Sequence, residues 1–326
     1  MKAIVIKETG EAANLTITDY PKPGSKDRFV LIKNKAFGIN RAEIYMRKGE
    51  WGEVHDIIGI ECAGIVESDP SNTFVKGQKV VSFVGGLARD FGGSYAEYLS
   101  VPLKNIIPVQ TNLPWNELAA IPETYATAWA VLHWGLQAAQ GQSVLVRGGT
   151  STVGLASIIL AKQLGLKVFA TSRSKEKVDI LKKYGADTVI SDNGKIAESL
   201  RKIQPEGVDN VIELIGNTTL EDSLACVAPH GTVCVAGFLG GLSPLENFMP
   251  LMQLPSSVKL TSFGSAFVFG NDDFPFAKIP IQQIVSDIEL HKIPNILAKT
   301  FDFGQIVEAH TLMESNTING KIVVTV

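Results

Sequence analysis

The sequence predicts an α/β protein in which a doubly wound parallel-sheet domain is inserted into a partly open antiparallel β-barrel domain. Three observations predict it. From residue 142 onward, short apolar runs alternate strictly with helical spacings, the order that builds a parallel sheet. Before residue 113 the chain holds short strand-like runs about a dozen residues apart, the texture of a barrel. After residue 265 the alternation stops, and the tail that remains is too short for a domain of its own, so it returns to the first one. The expected division is 1–115 with 266–326 as one domain and 116–265 as the inserted domain.

In the first domain, 1–6, 29–36, 63–67, 79–84 and 95–101 are short apolar or alternating runs. They are punctuated by Pro21-Lys22-Pro23-Gly24, Gly49, Gly85-Gly86 and Gly92-Gly93. In the second, Val144, Leu145 and Val146 form an unbroken apolar run, as expected of a strand buried on both faces. Val153, Ala156, Ile159 and Leu160 then repeat at helical spacing, and the pattern stops at Gly165. Strands follow at 168–170, 188–190, 208–215, 232–236 and 258–263, with helices at 175–184, 196–203 and 220–227. In the tail, 281–290 reads as helix, 298–303 as extended chain, 304–314 as helix and 321–326 as a closing strand.

Composition narrows the function classes. Hydrophobic residues make up 45% of the 326 and charged residues 19%, enough for a real core and too little charge for a disordered chain. A formal net charge of −3 argues against a nucleic-acid binder. Three cysteines, Cys62, Cys226 and Cys234, are too few for a disulfide framework or a four-cysteine zinc site. The longest stretch free of Asp, Glu, Lys and Arg, 223–245, contains Pro229, Gly231, Gly237, Gly240, Gly241 and Pro244, so it reads as turns and a buried strand and not as a membrane span. The apolar run after Met1-Lys2 is too short for a signal-peptide core, and a cytoplasmic location is the expectation.

The segment Ser143-Val144-Leu145-Val146-Arg147-Gly148-Gly149-Thr150-Ser151-Thr152-Val153-Gly154 is strand, tight turn and helix start. Gly149 and Gly154, with small residues between them, let backbone approach a pyrophosphate. The N–H groups of Thr150, Ser151, Thr152 and Val153 would face it from a helix N-terminus. About 20 residues on, where an NAD site carries a carboxylate for the ribose hydroxyls, the chain reads Ser172-Arg173-Ser174-Lys175-Glu176-Lys177. Ser172 can donate to a 2′-phosphate, Arg173 can pair with it, and Lys177 follows one turn later. This predicts NADPH over NADH. A plain β-α turn and a solvated basic helix start are the bland alternatives.

The order of these motifs, together with Gly38-Ile39-Asn40-Arg41-Ala42-Glu43-Ile44-Tyr45-Met46-Arg47-Lys48-Gly49, Gly59-Ile60-Glu61-Cys62-Ala63-Gly64, Gly92-Gly93-Ser94-Tyr95-Ala96-Glu97-Tyr98 and the closing Gly320-Lys321-Ile322-Val323-Val324, resembles the medium-chain dehydrogenase/reductase superfamily, in its zinc-free quinone oxidoreductase branch. The resemblance covers nearly the whole chain. It implies a Rossmann-type sheet domain inserted into a GroES-like barrel, and a homodimer. Zinc alcohol dehydrogenases of the superfamily carry Cys where this chain has Asn40 and His where it has Ile60, and the loop 83–93 holds no Cys, so no metal is expected.

By the same resemblance, Tyr45 and Asn40 stand near substrate and nicotinamide, with Tyr45 the donor to the developing oxyanion and Trp51 a stacking surface for a flat substrate. Thr127 matches a threonine near the nicotinamide. Gly237, Phe238, Leu239 and Phe263 lie at strand ends that offer backbone groups to the carboxamide. Asp192 departs from the family pattern, which places Tyr there. The activity implied is hydride transfer from NADPH to a small quinone or α,β-unsaturated carbonyl, chemistry that needs no Lewis acid. A non-catalytic NADPH-binding sensor or structural protein, and a zinc alcohol dehydrogenase, are the alternatives. Neither nucleic acid nor membrane is an expected partner.

Overall fold

The computed structural model describes residues 1–24 and 26–326. The chain opens with β1 (Lys2–Ile6) and β2 (Leu15–Asp19), an antiparallel pair of their own. There follow β3 (Phe29–Ile39), β4 (Glu61–Ser68), β5 (Lys79–Phe83), β6 (Tyr98–Pro102) and the short β7 (Ile107–Pro108). The parallel-sheet segment supplies β8 (Ser143–Arg147), β9 (Lys167–Ser172), β10 (Thr188–Ser191), β11 (Val208–Glu213), β12 (Val227–Val235) and β13 (Lys259–Ser262). The tail adds β14 (Leu297–Asp302) and β15 (Lys321–Thr325).

Two units result, Met1–Ala126 with Ala266–Val326, and Thr127–Ser265. The segment 116–126 therefore travels with the first unit. Its ties explain why: Glu123 N–H donates to the Glu61 carboxylate at 3.0 Å, and the Tyr125 hydroxyl donates to the Pro294 carbonyl at 2.9 Å.

In the first unit one sheet runs β14-β15-β3-β4-β5-β7, with β6 also pairing β3. The tail returns as expected: β15 lies antiparallel on β3, with Val323 opposite Gly38. One departure from an all-antiparallel barrel is β14, which runs parallel to β15 because the helix Ile306–Ser315 carries the chain back between them. The strand expected at 95–101 begins only at Tyr98, while β2 has no counterpart among the predicted strands. Inward residues Val30, Ile32, Cys62, Val66, Val80, Leu99 and Val101 form this unit's core.

In the second unit six strands, all parallel, take the order β10-β9-β8-β11-β12-β13. The sequence order reverses at β8, the geometry of a dinucleotide-type doubly wound sheet. Every residue of β8 is buried, which is why its sequence shows no alternation. The helix Thr152–Gln163 buries Leu155, Ile158 and Ile159 against β8 and β9. Leu145, Phe169, Val211, Leu224 and Val233 pack into the core on the sheet. Among the described residues, no helix is long and apolar enough to cross a membrane.

Candidate functional site

In the second unit the carboxyl ends of the parallel strands gather the residues that the glycine motif singled out. Ser151 caps the helix that follows β8: its hydroxyl donates to the Gly148 carbonyl at 2.8 Å and accepts from Gly154 N–H at 3.1 Å. Gly154 is required there, because a Cβ would stand 2.4 Å from the Gly148 oxygen and 2.8 Å from that of Gly149. Helix geometry leaves the Thr152 and Val153 N–H groups without intrahelical partners, and the turn before them carries no bulky side chain. The turn therefore fits a pyrophosphate.

A Cβ on Gly149 would lie 3.2 Å from Ala170 and from the Thr171 oxygen, so the turn rests on the end of β9. Just beyond, the Ser172 hydroxyl is already engaged, donating to the Ser174 carbonyl at 2.9 Å. Arg173 is exposed, and Lys177 closes the short turn capped by Ser174. The segment after β12 continues the ladder, with Leu239 N–H donating to the Leu214 carbonyl at 3.1 Å. Gly237 and Phe238 thus run beside the end of β11, and Leu239 borders Gly148. Phe263 N–H bonds the Val235 carbonyl, and its ring meets Trp134 at 6.0 Å. Thr127 is buried in the helix Pro122–Ala130.

Under this surface lies an ionic cluster that sequence reasoning missed. The buried Arg147 guanidinium forks onto Asp192 at 3.0 and 3.1 Å. It also reaches Asp222 at 2.8 Å, the Thr219 carbonyl at 3.1 Å and the Ser223 hydroxyl at 3.0 Å. Burial alone would lower the arginine's proton affinity, but Asp192, Glu213 and Asp222 together raise it. Burial likewise pushes the Asp192 carboxyl up, but Arg147 and the Gly194 N–H outweigh it and hold the group below its usual range. The acid that departs from the family pattern therefore carries its own counter-charge.

In the first unit, Asn40 and Glu43 close a capping box that starts the helix Arg41–Lys48, and Gly49 ends it. Asn40 N–H donates to Glu43 at 2.8 Å. Glu43 also accepts from Ile60 N–H at 3.0 Å. The Asn40 carboxamide is nearly buried, and both its ends are occupied. Its Nδ2 donates to Glu61 at 2.9 Å and to Glu43 at 3.3 Å, and its oxygen accepts from the Lys321 ammonium. Lys321, wholly buried, also reaches Glu61 at 2.6 Å and Thr124 Oγ1 at 3.0 Å. Gly38 makes room for this pair, since a Cβ would stand 2.4 Å from both Glu61 Oε1 and Lys321 Cε. The Asn-x-x-Glu spacing of a capping box was visible in the sequence; the lysine was not.

Burial pushes Glu43 up to about 7, while the Ile60 N–H and Lys321 pull against that rise. Between its ordinary value of 4.5 and about 7, the folded chain keeps a proton that the unfolded chain has released. Stability therefore falls as pH rises through that window and levels off above it, by roughly 3 kcal/mol in all. Glu43→Gln is expected to flatten the decline, measured as unfolding free energy in urea at several pH values from 4.5 to 7.5. An unchanged slope in the variant would assign the decline to other groups.

Tyr45, half-buried on the same helix, stacks on Trp51 with ring centres 6.3 Å apart, and Trp51 stacks on Phe267 at 6.0 Å. Burial raises the proton affinity of the Tyr45 hydroxyl. The group is thus a neutral donor at ordinary pH.

Residues 152–277 match the family model described as zinc-binding dehydrogenase, and 26–111 that of the alcohol dehydrogenase GroES-like domain. The chain is 33% identical to the quinone oxidoreductase of Rattus norvegicus over 74% of each chain. It is 26% identical to that of Homo sapiens over 99% of this chain and 97% of the other. A solved mycobacterial protein, complexed with NADPH, superposes with a TM-score of 0.87 at 27% identity over all of both chains. The fold and these relatives define the class as the NAD(P)-dependent oxidoreductases. The chain belongs to the medium-chain dehydrogenase/reductase superfamily, in its quinone oxidoreductase-like branch.

Proposed function

We propose that the protein is a zinc-independent, NADPH-dependent reductase of quinones or α,β-unsaturated carbonyls. The observation that carries this reading is the Lys321 ammonium bonded to Asn40 and Glu61. Asn40 and Ile60 stand where zinc relatives carry ligands, and a dication there would face a fixed, buried positive charge. Acceptors that need no Lewis acid are the chemistry left to such a site. When bound, NADPH supplies the hydride. The residues that would hold it are the Gly149–Gly154 turn for the pyrophosphate, Arg173 and Lys177 for the 2′-phosphate, and Thr127, Gly237, Phe238, Leu239 and Phe263 for the nicotinamide end.

The Tyr45 hydroxyl donates to the acceptor oxygen as negative charge develops on it, and then supplies its proton. Trp51, itself stacked on Tyr45 and Phe267, extends the aromatic surface beside the Tyr45 hydroxyl that a flat acceptor would meet. NADPH oxidation with a panel of small quinones and enones tests the reading. Tight NADPH binding without turnover on any acceptor would replace it with that of a sensor. Tyr45→Phe is expected to lower kcat about tenfold to a hundredfold with cofactor affinity unchanged. Unchanged turnover would place the proton source elsewhere.

A further inference from the structure

We infer that Lys321 is a positioning residue for this reaction: acting with Glu61 and Glu43, its ammonium holds the Asn40 carboxamide in one orientation, and with it the start of the helix that carries Tyr45. The inference rests on the functional reading above. Three N–H donors meet three oxygen acceptors, on Asn40, Thr124 and Glu61, so the buried ammonium is fully satisfied. The carboxamide has only one compatible orientation. Turned over, its NH₂ would face the ammonium and its oxygen would face the Glu61 carboxylate, repulsive at both ends.

Asn40 is also the residue before the helix Arg41–Lys48, and its backbone N–H is held by Glu43 of the first turn. One lysine from the last strand thus sets the geometry of an element that lies 281 residues earlier in the chain. The charge balance is local: Glu61 faces Lys321 directly, and Glu43 shares Asn40 with both.

A structural role alone, in which Lys321 merely neutralises Glu61, makes a different prediction from a positioning role. Two variants separate them. Lys321→Met removes the donors and leaves Glu61 buried without a cation. Lys321→Met combined with Glu61→Gln removes both charges. Three readouts are taken: kcat and KM with a small quinone, the Kd of NADPH, and the ¹H and ¹⁵N shifts of the Asn40 carboxamide in ¹⁵N-asparagine-labelled protein, assigned by its loss in Asn40→Ala.

In both variants kcat is expected to fall about tenfold or more, with KM and the NADPH Kd within about twofold. The carboxamide resonance shifts in both, because its oxygen loses the cationic donor while its NH₂ keeps the Glu43 acceptor. The double variant regains the thermal stability lost by the single one. Recovery of kcat together with stability in the double variant, or an unchanged carboxamide signal, would overturn the proposal and leave Lys321 as a charge partner only. If the single variant fails to fold, the double variant carries the test. If the wild-type protein turns over no quinone or enone, the functional reading fails, while the carboxamide measurement still decides what holds Asn40.

Discussion

Replacing Arg173 and Lys177 together by alanine is expected to weaken NADPH binding about a hundredfold and to leave NADH within about twofold. The expectation rests on the proposed cofactor site. Arg173 is exposed immediately after β9, and Ser172, Arg173 and Ser174 place no carboxylate of that strand end where ribose hydroxyls would be taken. The Ser172 hydroxyl is turned to the Ser174 carbonyl, so discrimination falls on the two cations. A charge-assisted bond to phosphate is worth about 1.5–3 kcal/mol, and two of them give the stated factor even after solvent screening. Asp192 does not oppose the phosphate as its charge alone would suggest, because Arg147 holds it in a two-pronged pair. Fluorescence titration with both cofactors checks this. Equal losses for NADPH and NADH would remove the 2′-phosphate assignment.

The second large effect is on stability. Arg147→Met is expected to cost about 3–5 kcal/mol, because it strands buried carboxylates without their cation. Asp192 and Asp222 have side chains only 8% and 18% exposed. Asp222 also holds the Ile196 and Ala197 N–H groups at the start of the helix Ala197–Ile203, so the loss reaches that helix. Without Arg147, burial leaves Asp192 favouring its protonated form, and the variant's stability falls as pH rises, whereas Asp192 in the parent loses its contribution only as pH falls. Adding Asp192→Asn should return part of the loss. Urea unfolding at pH 5 and 8 measures both effects, and a cost below about 1 kcal/mol would show that water reaches the cluster and screens it.

Much of the fold was legible. β8 appeared as an unbroken apolar run because it is buried on both faces, and the helix after the glycine turn ended near its predicted stop at Gly165 because only glycine takes the left-handed turn there cheaply. β2 escaped because Leu15-Thr16-Ile17-Thr18 is a short alternating run whose only strand partner among the described residues is β1. The break between units lay at Ala126, not 115, because hydrogen bonds from Glu123 and Tyr125 to distant residues tie that segment down. At the site, the glycine turn and the strand-end residues were readable as local patterns. The engagement of the Asn40 carboxamide and the Ser172 hydroxyl was not, since each depends on what stands opposite.

The sequence by itself determined the alternation of strands and helices, the turn that brings backbone N–H groups together, and the absence of Cys and His at two metal-ligand positions. All of these are carried by residues near one another in the chain. Only the tertiary structure decided which charges meet. Arg147 ends one apolar strand and Lys321 begins another, and no residue near either in the chain marks its partner. Folding instead sets them against Asp192 and Glu61, because a buried cation is tolerated only where distant segments deliver enough oxygen acceptors to replace its hydration.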